Sequence, residues 1–137
     1  MRKIILGTIL TVSSILAGNI NVKITNILNQ NGNIAIGLYN KDDGTFTDMS
    51  KYYKGVNLKI DIQEVIYIFK NIPNGTYAIS VIHDENKNQK LDKNFFGIPK
   101  EGYGFSNNVR PIFRGANFEE SKFRLNDDKN ITIEMGY

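Results

Sequence analysis

The sequence predicts an all-β fold: an antiparallel, immunoglobulin-like β-sandwich of about seven strands, with a long irregular loop region after the fifth strand. Three observations lead there. Apolar and polar residues alternate repeatedly with the period of two that gives a strand one buried face. Clusters of Asn, Asp and Gly break the chain at sandwich-like intervals. Few stretches carry the 3.6-residue period of a helix.

The first strand places Ile20, Val22 and Ile24 on one face and Asn21, Lys23 and Thr25 on the other, and the cluster Asn29-Gln30-Asn31-Gly32-Asn33 then turns the chain. The second strand carries Ile34, Ile36 and Leu38 on one face, with Ala35, Gly37 and Tyr39 opposite. Residues 40–54 are polar and punctuated by Asp42, Asp43 and Gly44, which reads as a long loop with a helical turn near 47–53. Val56, Leu58, Ile60 and Ile62 alternate with polar residues and predict a half-buried strand. Residues 64–70 are apolar on both faces, as in a central strand. The run Asn71-Ile72-Pro73-Asn74-Gly75 turns the chain into a strand over 76–82. Residues 94–115 are rich in Gly and aromatics without a steady period, and the last strands fall near 122–125 and 130–135.

A chain of 137 residues with a 41% hydrophobic fraction fits a single domain with one core. Arg2 and Lys3, the apolar run 4–16 and the small pair Ala17-Gly18 read in the order of an export signal. The reading is a signal peptide over 1–17, cut after Ala17 or after Gly18, and a single domain over 18–137. The run is interrupted by Thr8, Thr11, Ser13 and Ser14 and is shorter than the roughly 20 apolar residues that span a bilayer, so no transmembrane segment is expected in the mature chain. The expected location is secreted or periplasmic. Taking Arg2 and Lys3 from the 17 basic residues leaves 15 against 14 acidic ones, so the net charge of +3 falls to +1. A chain so nearly balanced has no field to recruit nucleic acid. It has no cysteine, which excludes disulfides, cysteine catalysis and a lipidated cysteine.

The most informative segment is His83-Asp84-Glu85-Asn86-Lys87-Asn88-Gln89-Lys90-Leu91-Asp92, where oxygen-bearing side chains recur at alternate positions. Calcium loops take side-chain oxygens from their first, third and fifth residues, a backbone carbonyl from the seventh, and often a water-bridged contact from the ninth. Those places fall on Asp84, Asn86, Asn88, Lys90 and Asp92. The sixth is Gln89 where glycine is usual, and the twelfth is Phe95 where a bidentate glutamate is usual. Glu101 is the first choice for the distant acid that completes the shell, and Glu85 the second. Ca2+ is the expected ion, because the donors are all oxygens and calcium accepts irregular shells of six to eight.

Ile72-Pro73-Asn74-Gly75-Thr76-Tyr77 resembles the turn and strand entry of transthyretin-like and carboxypeptidase-regulatory-like sandwiches. His83-Asp84-Glu85-Asn86, Lys90-Leu91-Asp92 and the run Phe96-Gly97-Ile98-Pro99-Lys100-Glu101-Gly102-Tyr103-Gly104-Phe105-Ser106-Asn107-Asn108 resemble the signature of the DUF2141 family of exported bacterial proteins. That resemblance implies a β-sandwich and export, and names no activity. Its loop commonly carries glycine where Lys87 and Gln89 stand here.

His83 is the only histidine, so zinc sites built from several histidines or cysteines are excluded. A triad of His83 with Asp84 or Asp92 and Ser106 can be drawn, as can a glycosidase pair of Glu85 and Asp92. A strand-end histidine bonded to backbone and a cation-binding loop explain the same residues more simply. Phe95, Phe96, Tyr103, Phe105 and Phe113 are expected to fill core, with a stacking platform for sugar or peptide as the alternative. Gly97, Gly102 and Gly104 are expected to serve backbone geometry. The expectation is an exported, non-enzymatic module that binds calcium and meets an envelope carbohydrate or protein. The alternatives are a secreted hydrolase of envelope carbohydrate or peptide, and a small-ligand carrier.

Overall fold

The structure is a computed structural model that describes residues 7, 16–92, 99–112 and 114–137. In chain order it contains β1 (Ala17–Thr25), β2 (Asn33–Tyr39), β3 (Lys54–Lys59), β4 (Val65–Pro73), β5 (Gly75–Asp84), β6 (Tyr103–Phe105), a 3-10 turn (Ser106–Asn108), α1 (Phe118–Ser121), β7 (Phe123–Leu125) and β8 (Lys129–Glu134). One sheet runs β4-β1-β8 and the other β3-β2-β5-β6, with β7 pairing the first three residues of β5.

The two sheets meet across one core, to which β1 gives Ile20, Val22 and Ile24, β2 gives Ile34, Ile36 and Leu38, and β8 gives Ile131 and Ile133. Fully burying a side chain of this kind is worth about 1.5–3 kcal/mol, so these eight outweigh any surface ion pair. The other face of β2 is covered too. Tyr39, Ala78 and Phe118 form a second cluster capped by Phe46, whose ring meets those of Tyr39 and Phe118 edge-on at 5.1 and 6.1 Å. The long loop 40–53 therefore folds back to close the second sheet. Its tip is tied by the Tyr39 hydroxyl, which donates to the Asp48 carbonyl at 2.9 Å.

Several expectations are corrected. Eight strands replace about seven, because β6 lies inside the stretch read as irregular. The sandwich is not wholly antiparallel: β1 and β8 pair in parallel, Ile20 opposite Lys129 through Thr25 opposite Glu134. The strand read through Ile62 ends at Lys59, and although Ile60 is buried, Ile62 is exposed. The strand over 64–70 is an edge strand, not a central one, and its apolar outer face leaves Ile66 67% exposed. The segment 47–53 holds isolated turns, Lys51 N–H to Asp48 and Asp48 N–H to Thr45, rather than a helical turn. The unforeseen helix α1 starts at a capping box, with Asn117 and Glu120 exchanging side-chain and backbone bonds.

Gly102 and Gly104 keep φ negative, so their role is not unusual backbone conformation. They make room instead: a β-carbon on Gly102 would lie 2.3 Å from the Tyr137 ring, and one on Gly104 2.7 Å from Ile133. Phe105 is buried and Tyr103 half-buried. Phe95, Phe96, Gly97 and Phe113, with most of the proposed signal segment, lie outside the described residues. Among the described residues, no helix is long and apolar enough to cross a membrane.

Candidate metal-binding loop

Strand β5 delivers Asp84 to the loop as its last residue, and the Asp84 carboxylate becomes the hub on which the loop is wound. It is buried, and its two oxygens accept from the backbone amides of Asn88 at 3.1 Å and Gln89 at 2.6 Å. Asn86 Oδ1 accepts from Asn88 N at 3.2 Å, and Asn88 Oδ1 from Lys90 N at 3.0 Å. These side-chain turns draw the chain into a tight coil. The coil demands left-handed backbone at two places, which Lys87 and Gln89 adopt with φ of 59° and 62°. Gln89 thus holds the conformation that a glycine at the sixth place would adopt with less strain.

Asp92 closes the coil. Its carboxylate accepts from the side-chain amides of Asn86 and, at 2.8 Å, Asn88. Glu101, brought back by the segment before β6, fastens both ends: one oxygen accepts from Glu85 N at 2.6 Å and the other from Asp92 N at 2.9 Å. The first-choice distant acid therefore does reach the loop. Lys90 meets the coil through its backbone N–H, which donates to Asn88, and not through the carbonyl expected to face an ion. Glu85, the second choice, turns aside and accepts from Asn29 Nδ2 at 2.9 Å.

Two carboxylates thus stand side by side with unlike environments. Burial holds the Glu101 carboxyl above the usual range, and the Asp92 charge beside it pushes the same way, against the two backbone amides. Asp92, reached by water, is drawn below its usual range chiefly by the Asn88 amide. Asn31, Gly32 and Lys100 line the same open cleft as Glu85, Asn86, Asp92 and Glu101. Among the described residues, no three acidic, histidine or cysteine side chains converge closely enough to hold a metal as the loop now stands. Asn86 and Asn88 turn their nitrogens toward Asp92, so a cation there needs those amides to rotate and present oxygen.

The family model described as "Uncharacterized protein conserved in bacteria (DUF2141)" matches residues 22–134. The chain belongs to the DUF2141 family. The match spans β1 to β8 and includes the whole loop with Glu101. No curated protein and no solved structure matches this DUF2141 chain.

The remaining DUF2141 candidates are held by other partners. His83 is fully buried, with Nε2 2.7 Å from the Asn31 carbonyl and Nδ1 2.5 Å from the Tyr137 hydroxyl. A carbonyl can only accept, so Nε2 carries the proton and Nδ1 accepts from Tyr137. Leu28 N completes the chain by donating to the same hydroxyl at 3.1 Å. Burial pushes the Tyr137 hydroxyl above its usual range, which keeps it a donor. Ser106 is buried around Ile79, accepting from Ile79 N at 2.9 Å and donating to the Ser121 carbonyl. Ile79 lies four residues before His83 on β5, roughly 13 Å along an extended strand. The drawn triad of His83 and Ser106 is therefore not assembled.

Sequence reasoning missed Tyr137, Asn31 and Gly32 as supports of this region. Gly32 alone carried a signal, as the glycine of an Asn-Gly pair in a turn.

Proposed function

We propose that the protein is an exported, non-enzymatic envelope module whose loop 84–92 takes up calcium as a structural ion. The winding of the loop carries this reading: the first-place carboxylate anchors the amides of the fifth and sixth places, and the sixth place is left-handed as in a calcium loop. The electrostatics support it, since a divalent ion would relieve the repulsion between Asp92 and the desolvated Glu101. Asp84, Asn86, Asn88, the Lys90 carbonyl, Asp92 and Glu101 are the proposed ligands, after the Asn86 and Asn88 amides rotate. Export rests on the order of Arg2, Lys3, the apolar run and Ala17-Gly18, with β1 opening at the proposed cut. The sandwich is proposed to be of the immunoglobulin or prealbumin kind.

Envelope carbohydrate is the proposed partner. Tyr52 and Tyr53 stand 42% and 41% exposed over a cleft of about 300 Å³ that also presents Asn40, Asp43 and Thr45. The Tyr52 ring lies against Gly55, where a β-carbon would come within 2.6 Å of it. Open aromatic faces beside polar donors and acceptors suit a sugar ring.

Calorimetric titration with calcium, paired with thermal melts in calcium and in chelator, tests the ion. At free calcium about 100 times the dissociation constant, linkage gives about 2.7 kcal/mol, a midpoint rise on the order of 5 °C. Asp84→Ala should remove most of that rise and Asn86→Ala less of it, since a carboxylate attracts the ion more than an amide oxygen does. Equal midpoints in calcium and chelator, with no binding heat, would show the loop to be an Asn-rich turn.

A further inference from the structure

Among the described residues, the edge strands β8, β3 and β4 differ in how they are closed. At β8 the Asn108 side chain imitates a neighbouring strand: its Nδ2 donates to the Thr132 carbonyl and its Oδ1 accepts from Glu134 N, at 3.2 and 2.9 Å. At β3 the strand is six residues long with Lys54 and Lys59 at its ends, which discourages pairing. Strand β4 is less guarded, with Lys70 its only charged residue. It is nine residues long, among the described residues it pairs only with β1, and its outer face shows Ile66 and Ile68 at 67% and 40% exposure. Only Pro73 marks its far end.

The sequence along that edge is symmetric about its middle. Glu64-Val65-Ile66-Tyr67-Ile68-Phe69-Lys70 has apolar partners at equal distances from Tyr67 and opposite charges at the two ends. We propose that β4 is the seam of a homodimer, pairing antiparallel with β4 of a second copy about a two-fold axis at Tyr67. In that register Glu64 of each copy faces Lys70 of the other, Ile66 faces Ile68, and Val65 faces Phe69. Cross-strand pairs of these kinds are the unit of sheet stabilisation, and a two-fold axis makes each of them twice. The two three-stranded sheets become one of six. The Lys23 ammonium lies 3.6 Å from Glu64, but both groups are about half exposed and so weakly held, which leaves Glu64 able to turn to the new partner. An extended segment of another protein could use the same edge, but a second copy of this chain supplies Lys70 and Glu64 in the required reversed order by symmetry alone.

Sedimentation of the full chain across the micromolar range tests the seam. The expected mass is twice the 15.5 kDa of one chain at the upper end. Glu64→Lys and Lys70→Glu alone should each weaken the dimer on the order of tenfold, because both ion pairs become like-charge contacts. The double variant should regain wild-type association. A mixture of the two single variants should form a one-to-one dimer, which also shows that each is folded. Association through the apolar segment 4–16 would ignore these reversals. Wild-type chain at single mass throughout, a dimer indifferent to either reversal, or a double variant that stays weak would each overturn the proposal.

Discussion

A β-carbon added to Gly32 would lie 2.0 Å from the carbonyl oxygen of Asp84. The turn between β1 and β2 is thus pressed against the backbone where β5 becomes the candidate loop, and Gly32 holds φ of 67° there. Gly32→Ala combines a backbone collision with a strained conformation, and should cost at least about 3 kcal/mol in urea unfolding. Gly44 also has positive φ, but open space surrounds it, so Gly44→Ala should cost only about 1 kcal/mol.

Lys87 and Gln89 carry left-handed strain that glycine would relieve. Gln89→Gly should raise the melting midpoint and Gln89→Ala should not, with a gain of up to about 1 kcal/mol after the entropy of the freer chain is subtracted. The same order should hold at Lys87, where glycine also removes a positive charge beside the proposed ion. A midpoint unchanged or lowered by both glycines would mean that the strain is absent.

The clamp made by Glu101 has a pH signature in chelator. Its folded pKa is raised, so above about pH 4.5 the unfolded chain releases this proton first and stability falls with rising pH until the folded value is passed. Asp92 works the other way below that range: its folded pKa is lowered, so its contribution is present above the unfolded value near 3.8 and is lost on acidification. Glu101→Gln should abolish the decline above pH 4.5. It should also lower overall stability by about 1–2 kcal/mol, because one of the two amides bound by Glu101 then meets an NH₂ group. Denaturation curves from pH 3.5 to 7 read both effects.

Tyr137→Phe removes only the hydroxyl that bridges Leu28 N and His83 Nδ1. A buried ring nitrogen without a partner should cost about 1–3 kcal/mol. Since His83 leads directly into Asp84, hydrogen exchange at the loop amides should accelerate in the same variant.

Alternation made β1 legible, because Ile20, Val22 and Ile24 face the core against water on the other side. The same rule misplaced 64–70, since an apolar outer face on an edge strand looks like one buried beneath another layer. Spacing located the coil around Asp84, because its oxygens lie close together in sequence. The bond from Glu101 to Glu85 spans 16 residues and was reachable only as a choice among acids. The histidine chain was illegible: Tyr137 lies 54 residues from His83, and no local pattern links them.

The parallel pairing of β1 with β8 joins residues about 109 positions apart, as in Ile20 opposite Lys129. A nascent chain therefore makes its first strand long before that strand's last neighbour exists. The sheet around β1 stays one strand short until residues 129–134 have been synthesised, and such distant pairing folds slowly. The architecture itself delays completion of the fold, so that Ile20, Val22 and Ile24 lack the neighbouring Ile131 and Ile133 until β8 is made.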